Sequence, residues 1–145
     1  SHAVLAACDV TLIASGTATL EAALFKRPMV IAYAMPAFSY RLMRKKRQLP
    51  WVGSPNVLCA PREWLHRPAD TSAHDMADHA DAPFVVPELI QDAATPAALA
   101  QAVLDWLGAP EKIAQLQQRF TALHHELKRD TPRLATDAIE TLLAR

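Results

Sequence analysis

At 145 residues, 51% of them apolar, the chain has the length and composition for one compact domain with its own core. Lys plus Arg and Asp plus Glu number 15 each, so the net charge is zero and no global field favours nucleic acid as a partner. Cys8 and Cys59 stand alone, which excludes a CxxC motif or disulfide framework and fits a reducing compartment; no apolar run of about 18 residues is present to span a bilayer.

SHAVLAACDV has no initiating Met and begins within what reads as an amphipathic helix, as expected of a piece of a longer protein. A helix over Ala3 to Ala7 ends at Cys8-Asp9. VTLIA, residues 10–14, is continuously apolar and β-branched, the pattern of a strand buried on both faces. Thr17 to Lys26 is helical in composition, with Leu20, Ala23 and Leu24 on one face. Pro28 separates it from MVIAY, residues 29–33, a second buried strand. Strand, helix and strand with short joints predict a βαβ unit of a parallel sheet.

Pro36 opens a helix over residues 37–49, AFSYRLMRKKRQL. PWVGSPNVLCAP, residues 50–61, carries three prolines and a glycine and reads as irregular backbone around one short extended piece. Residues 62–83, REWLHRPADTSAHDMADHADAP, have little periodicity and read as a mobile loop or insertion. FVVPELIQD, residues 84–92, returns to a short strand or turn. Thr95 and Pro96 then cap and start a helix that stops at Gly108. Pro110 starts the next, with a stripe of Ile113, Leu116, Phe120, Leu123 and Leu127. Thr131-Pro132 repeats the signal before a last helix bearing Leu134, Ala138 and Leu142. The predicted fold class is α/β, part of a Rossmann-like parallel sheet over residues 1–95, followed by a helical tail over 96–145.

Ligands of open α/β sheets bind outside the carboxyl ends of the strands. Ser15-Gly16-Thr17 lies at such an end, where the following helix offers unpartnered N–H groups and the positive end of its dipole. Gly16 permits close approach of an anion, and Ser15 and Thr17 add hydroxyl donors, so a phosphate suits the turn. Glu21 lies one helical turn past Thr17, where a carboxylate can accept from the two hydroxyls of a ribose. Ser-Gly-Thr is equally a plain turn and cap, and Glu21 equally a complement to the dipole. The pattern is neither a Walker loop nor GxGxxG.

ASGTATLEAAL, PMVIAYAMPAFSYRLMRK, SPNVL and VPELIQDAATP occur in the order seen in lipid-A-disaccharide synthases, and the chain resembles that family from about Ser1 to its end, apart from residues 61–83. The resemblance implies the C-terminal half of a two-domain GT-B glycosyltransferase that moves 2,3-diacylglucosamine from UDP to 2,3-diacylglucosamine 1-phosphate. It implies no cofactor or metal, with Ser15, Gly16 and Thr17 holding UDP and Glu21 its ribose. By position in the motif, Asn56, Glu88 and Gln91 would line the same cleft; without the resemblance they are ordinary loop and strand-end polar residues. The catalytic base is expected in the N-terminal half, so the chain alone is expected to be inactive. Ala34 after Tyr33, Cys59-Ala60-Pro61 and the stretch from Arg62 to Pro83 depart from the family pattern.

Phe38, Tyr40, Leu42 and Met43 interleave with Arg41, Arg44, Lys45 and Lys46, as in a helix lying on an anionic leaflet. A core-facing helix with a solvated basic side fits the same pattern. Acylated substrates favour peripheral attachment at the cytoplasmic face of the inner membrane, with Phe38, Arg41, Arg44, Lys45 and Lys46 facing it. The resemblance also implies a homodimer with exchanged C-terminal helices; packing on the chain's own sheet is the simpler alternative. His66, His74 and His79 among Asp70, Asp75, Asp78 and Asp81 have ligand chemistry but no metal-motif spacing. Rival readings are another UDP-sugar GT-B transferase or an epimerase, and a non-catalytic domain that recruits a membrane or protein.

Overall fold

The computed structural model describes residues 2–46, 49–65 and 82–144, with the backbone alone for 44–46. In chain order the elements are α1 (His2–Ala7), β1 (Thr11–Ala14), α2 (Thr17–Leu24), β2 (Met29–Tyr33), α3 (Ala37–Lys46), α4 (Ser54–Leu58), α5 (Arg62–Leu65), β3 (Glu88–Ile90), α6 (Pro96–Leu107), α7 (Pro110–Leu127) and α8 (Thr131–Leu143). A 3-10 turn, Gln91–Ala93, follows β3 directly. The three strands form one parallel sheet in the order β1-β2-β3, with Thr11 opposite Met29 and Ile31 opposite Glu88. The predicted βαβ unit and parallel α/β class are thus present.

β2 is the middle strand, and its apolar run has the reason expected. Met29, Val30 and Ile31 are fully buried, and since alternate residues face opposite sides, both faces of the strand are covered. Met29 and Ile31 join Ala22 and Ala23 of α2, Leu5 of α1, Val86, and Leu116, Phe120 and Leu123 of α7 in one core. The indole of Trp106 in α6 donates to the Met29 carbonyl at 3.1 Å, tying that helix to the start of β2. Sheet, α6 and α7 therefore share one interior, whereas every described residue of α8 is exposed.

Three local expectations need correction. β1 is not buried on both faces: it is an edge strand among the described residues, and Leu12 is 55% exposed while Ile13 packs on the core. Residues 54–58 are not extended but form α4, because Pro55 sits in the first turn, where its missing N–H costs nothing. The predicted loop from residue 62 starts as the helical turn α5, and Ala82 at its far end is buried. Residues 66–81, with His66, His74, His79, Asp70, Asp75, Asp78 and Asp81, lie outside the described residues.

At the tail, the Thr95 hydroxyl oxygen accepts from Ala98 N at 3.2 Å and Pro96 follows as predicted. The cap of α8 is shifted by one residue, with Asp130 rather than Thr131 accepting from Arg133 N at 3.3 Å.

Candidate functional site

β1 ends at Ala14, and Ser15-Gly16 turns the chain into α2 at the carboxyl edge of the sheet. Gly16 has φ +149°, a conformation that L side chains rarely adopt, and a Cβ there would meet open space. Its side is therefore clear for a ligand, and the restriction is one of backbone conformation. No side chain caps α2. The first amide engaged is that of Thr19, which donates to Gly16 O at 3.1 Å, joined by the Thr19 hydroxyl at 2.7 Å. The amides of Thr17 and Ala18 have no acceptor among the described residues, and both residues are exposed. Two unpartnered donors, the dipole of α2 and an open glycine are the chemistry an anion suits.

Glu21 stands on the same side of α2, its side chain 45% exposed, with Oε2 at 3.6 Å from Nε2 of His2. The His2 ring also lies against Phe25, with centroids 5.4 Å apart. Sequence reading passed over His2, since a histidine near the chain start carries no spacing signal. The Ser15 hydroxyl turns toward the protein and donates to Val52 O at 3.3 Å, a long bond for a hydroxyl donor.

Asn56 lies beside the chain leading into β3, Glu88 is the first residue of that strand and Gln91 follows its last, and their polar atoms are engaged by the protein. Asn56 is fully buried: its Oδ1 accepts from Val85 N and Val86 N at 2.7 and 2.9 Å, and its Nδ2 donates to Val86 O and Glu88 Oε1 at 2.9 and 2.7 Å. Both acceptor and both donor positions of the amide are thus filled. Glu88 Oε1 also accepts from Gly53 N at 2.8 Å, and Oε2 from Val52 N at 2.7 Å. Gln91 adopts φ +54° and pairs with the backbone of Met35 just past β2, accepting from its N at 2.6 Å and donating to its O at 3.0 Å. Asn56 and the VPEL segment are therefore in direct contact despite the long stretch of sequence between them.

α3 leaves the same edge. Phe38 and Leu42, one turn apart, are 80% and 51% exposed, and Arg41 is exposed beside them. Its apolar side does not face the core. The thiol of Cys59 is raised above its usual range by burial, an effect partly offset by Arg119, whose Nη2 donates to Cys59 O at 2.7 Å. Both cysteines are free. Among the described residues no cluster of three His, Cys, Asp or Glu could hold a metal, and no helix is long and apolar enough to cross a membrane.

A parallel α/β sheet with a glycine turn and helix start at its carboxyl edge defines a Rossmann-like fragment. Comparison with known proteins narrows the class. The family model for lipid-A-disaccharide synthetase matches residues 1–74. The lipid-A-disaccharide synthase of Albidiferax ferrireducens is 60% identical across 99% of this chain and 32% of its own length. That of Verminephrobacter eiseniae is 57% identical over the same shares, and that of Bordetella pertussis is 45% identical over 94% of this chain and 30% of its own. The chain belongs to the lipid-A-disaccharide synthase family, and it spans about a third of the length of these relatives.

Proposed function

We propose that the chain is the UDP-binding part of a GT-B glycosyltransferase that moves 2,3-diacylglucosamine from UDP to 2,3-diacylglucosamine 1-phosphate, forming the lipid A disaccharide. The observation that carries this reading is the pair of open amides at Thr17 and Ala18, beside the unhindered Gly16. A diphosphate seated there faces the positive end of α2. As the glycosidic bond to the donor breaks, negative charge grows on the leaving UDP, and fixed N–H dipoles stabilise it without reorganising. Glu21, one turn along α2 and with Oε1 free of described partners, takes the ribose hydroxyls. The side chain of Thr17 adds a donor at the rim, while Ser15, bonded to Val52 O, holds the turn beneath the diphosphate. The catalytic base of the transfer is expected in the N-terminal half, outside this chain, so the 145 residues alone are expected to bind UDP without turnover.

The exposed Phe38 and Leu42 on α3 support a peripheral seat on the cytoplasmic face of the inner membrane, where the acylated substrates reside. The bare α8 supports a homodimer with exchanged C-terminal helices.

Calorimetric titration with UDP tests the nucleotide reading. Glu21→Ala is expected to weaken binding by about tenfold, the loss of a charge-assisted hydrogen bond, and Thr17→Val by less, with both variants melting as the parent does. Absence of any UDP heat from the parent protein rejects the reading. Equal response to UDP-sugars with and without acyl chains, in the intact enzyme, would assign it to a different transferase or an epimerase.

A further inference from the structure

The half-buried polar network behind the proposed anion seat has an odd member. Glu88 opens β3 with a carboxylate linked through Val52 to Ser15 in the turn where the diphosphate would bind, and a bare negative charge so near would repel it. This carboxylate is not bare. Three N–H donors, from Val52, Gly53 and Asn56, converge on its two oxygens at 2.7 to 2.8 Å. The loop that supplies them is shaped for the purpose: a Cβ on Gly53 would collide with Ile31 Cδ1 and stand 3.0 Å from Glu88 Oε1. The next link runs forward, since the carbonyl of Val52 accepts from the Ser15 hydroxyl at 3.3 Å. Asn56 anchors the assembly from behind by holding Val85, Val86 and Glu88 itself.

We propose that Glu88 is a positioning residue for the anion-accepting turn: it fixes the Val52–Gly53 peptide, Val52 holds Ser15, and Glu88 thereby acts on a bound diphosphate without touching it. The proposal rests on reading that turn as the diphosphate seat. An acceptor-only group is required, because a carboxylate can take three donors and an amide cannot do so on both of its terminal atoms. The link at Ser15 is the softest of the series by its length, so loosening of the assembly shows there first. Asn56 and Gln91 act in the same sense on the neighbouring loops.

Glu88→Gln is a selective cut. Its oxygen is drawn to the side with two donors, Gly53 N and Asn56 Nδ2, so its NH2 faces Val52 N, donor against donor. UDP titration of the protein, Glu88→Gln, Ser15→Ala and the double variant, well below all their melting temperatures, reads the coupling. Glu88→Gln is expected to weaken UDP about tenfold and Ser15→Ala about threefold, with the double variant no weaker than Glu88→Gln alone. A double variant weaker by the product of the two, or unchanged affinity in Glu88→Gln, overturns the proposal. Hydrogen exchange without ligand gives a second readout. The Thr19 amide, bonded to Gly16 O, should exchange faster in Glu88→Gln together with the amides of Val52 and Gly53; loosening confined to Val52 and Gly53 overturns the bracket. If the parent protein gives no UDP heat, the diphosphate reading falls while exchange still decides whether Glu88 holds the turn. If Glu88→Gln does not fold, Ser15→Ala reads the same link from its other end. Faster exchange at Val52 and Gly53 then upholds it, and unchanged exchange rejects it.

Discussion

Lys26 sits in the left-handed region, φ +58°, just beyond the end of α2, and its ammonium closes two contacts at once. Nζ donates to Leu24 O, one of the carbonyls left open at the helix end, and lies 2.7 Å from Nδ1 of His124 near the end of α7. An ammonium has only donors, so His124 must accept, which requires the neutral ring with its proton on Nε2. The His124 pKa is accordingly held below the ordinary histidine value, first by the charge of Lys26, then by partial desolvation, His125 and Lys128. A histidine with a folded pKa below its unfolded one binds more protons when unfolded, so its contribution to stability is complete above the unfolded value of about 6.5 and is lost as pH falls through the folded pKa. The melting temperature should therefore decline on acidification below that point, and His124→Gln, which keeps an acceptor but cannot titrate, should flatten the decline. Identical pH profiles for the two proteins would remove the Lys26–His124 contact from any account of how α2 is held to α7.

At the scale of elements, what the sequence discloses is what local chemistry decides. Thr95, Pro96 and Gly108 bound α6 because capping, a fixed φ and a helix stop act within a few residues. The stripe of α7 was legible for the same reason, and Leu116, Phe120 and Leu123 are buried. α4 was not, since its five residues are held in place by Asn56 reaching Val86 and Glu88, contacts more than 29 residues distant that no window of sequence contains. The exposure of Leu12 in β1 depends on which neighbour covers an apolar face, which is equally non-local. In the candidate site, the helix start and Glu21 were readable from spacing, whereas the inward commitment of Asn56, Glu88 and Gln91 was not. α3 illustrates both sides: its amphipathic pattern was plain, but only the structure shows Phe38 and Leu42 bare on one face. Full burial of such side chains is worth about 1.5–3 kcal/mol each, so Phe38→Ser with Leu42→Ser should lower partition onto anionic vesicles at least tenfold. The remaining binding should weaken with salt, as basic residues near a charged leaflet require. Partition equal to that of the parent would mean that α3 does not face the bilayer.

For the molecule as a whole, the question is what covers α8. Its thirteen residues are helical and capped by Asp130, and Leu134, Ile139, Leu142 and Leu143 remain exposed, the last two at 68% and 82%. Leu134, Ala138 and Leu142 recur every four residues, and a stripe of that kind is stable in water only when it is buried. α7 meets this need at home through Phe120 in the core, and α6 in part through Trp106 on Met29 while Leu104 and Leu107 stay exposed. The tail therefore divides after Leu127 into a packed or partly packed portion and a bare one. In the proposed dimer a second copy covers the stripe, because two such helices related by a twofold axis, or exchanged between subunits, bury the same residues twice. Light scattering at micromolar concentration should then give twice the monomer mass, and Leu134→Ser with Leu142→Ser should return it to one while leaving the melting of the α/β core unchanged, since neither side chain enters that core. A parent protein that stays monomeric as its concentration rises would assign α8 to some other surface and remove the exchanged-helix dimer from the proposed architecture.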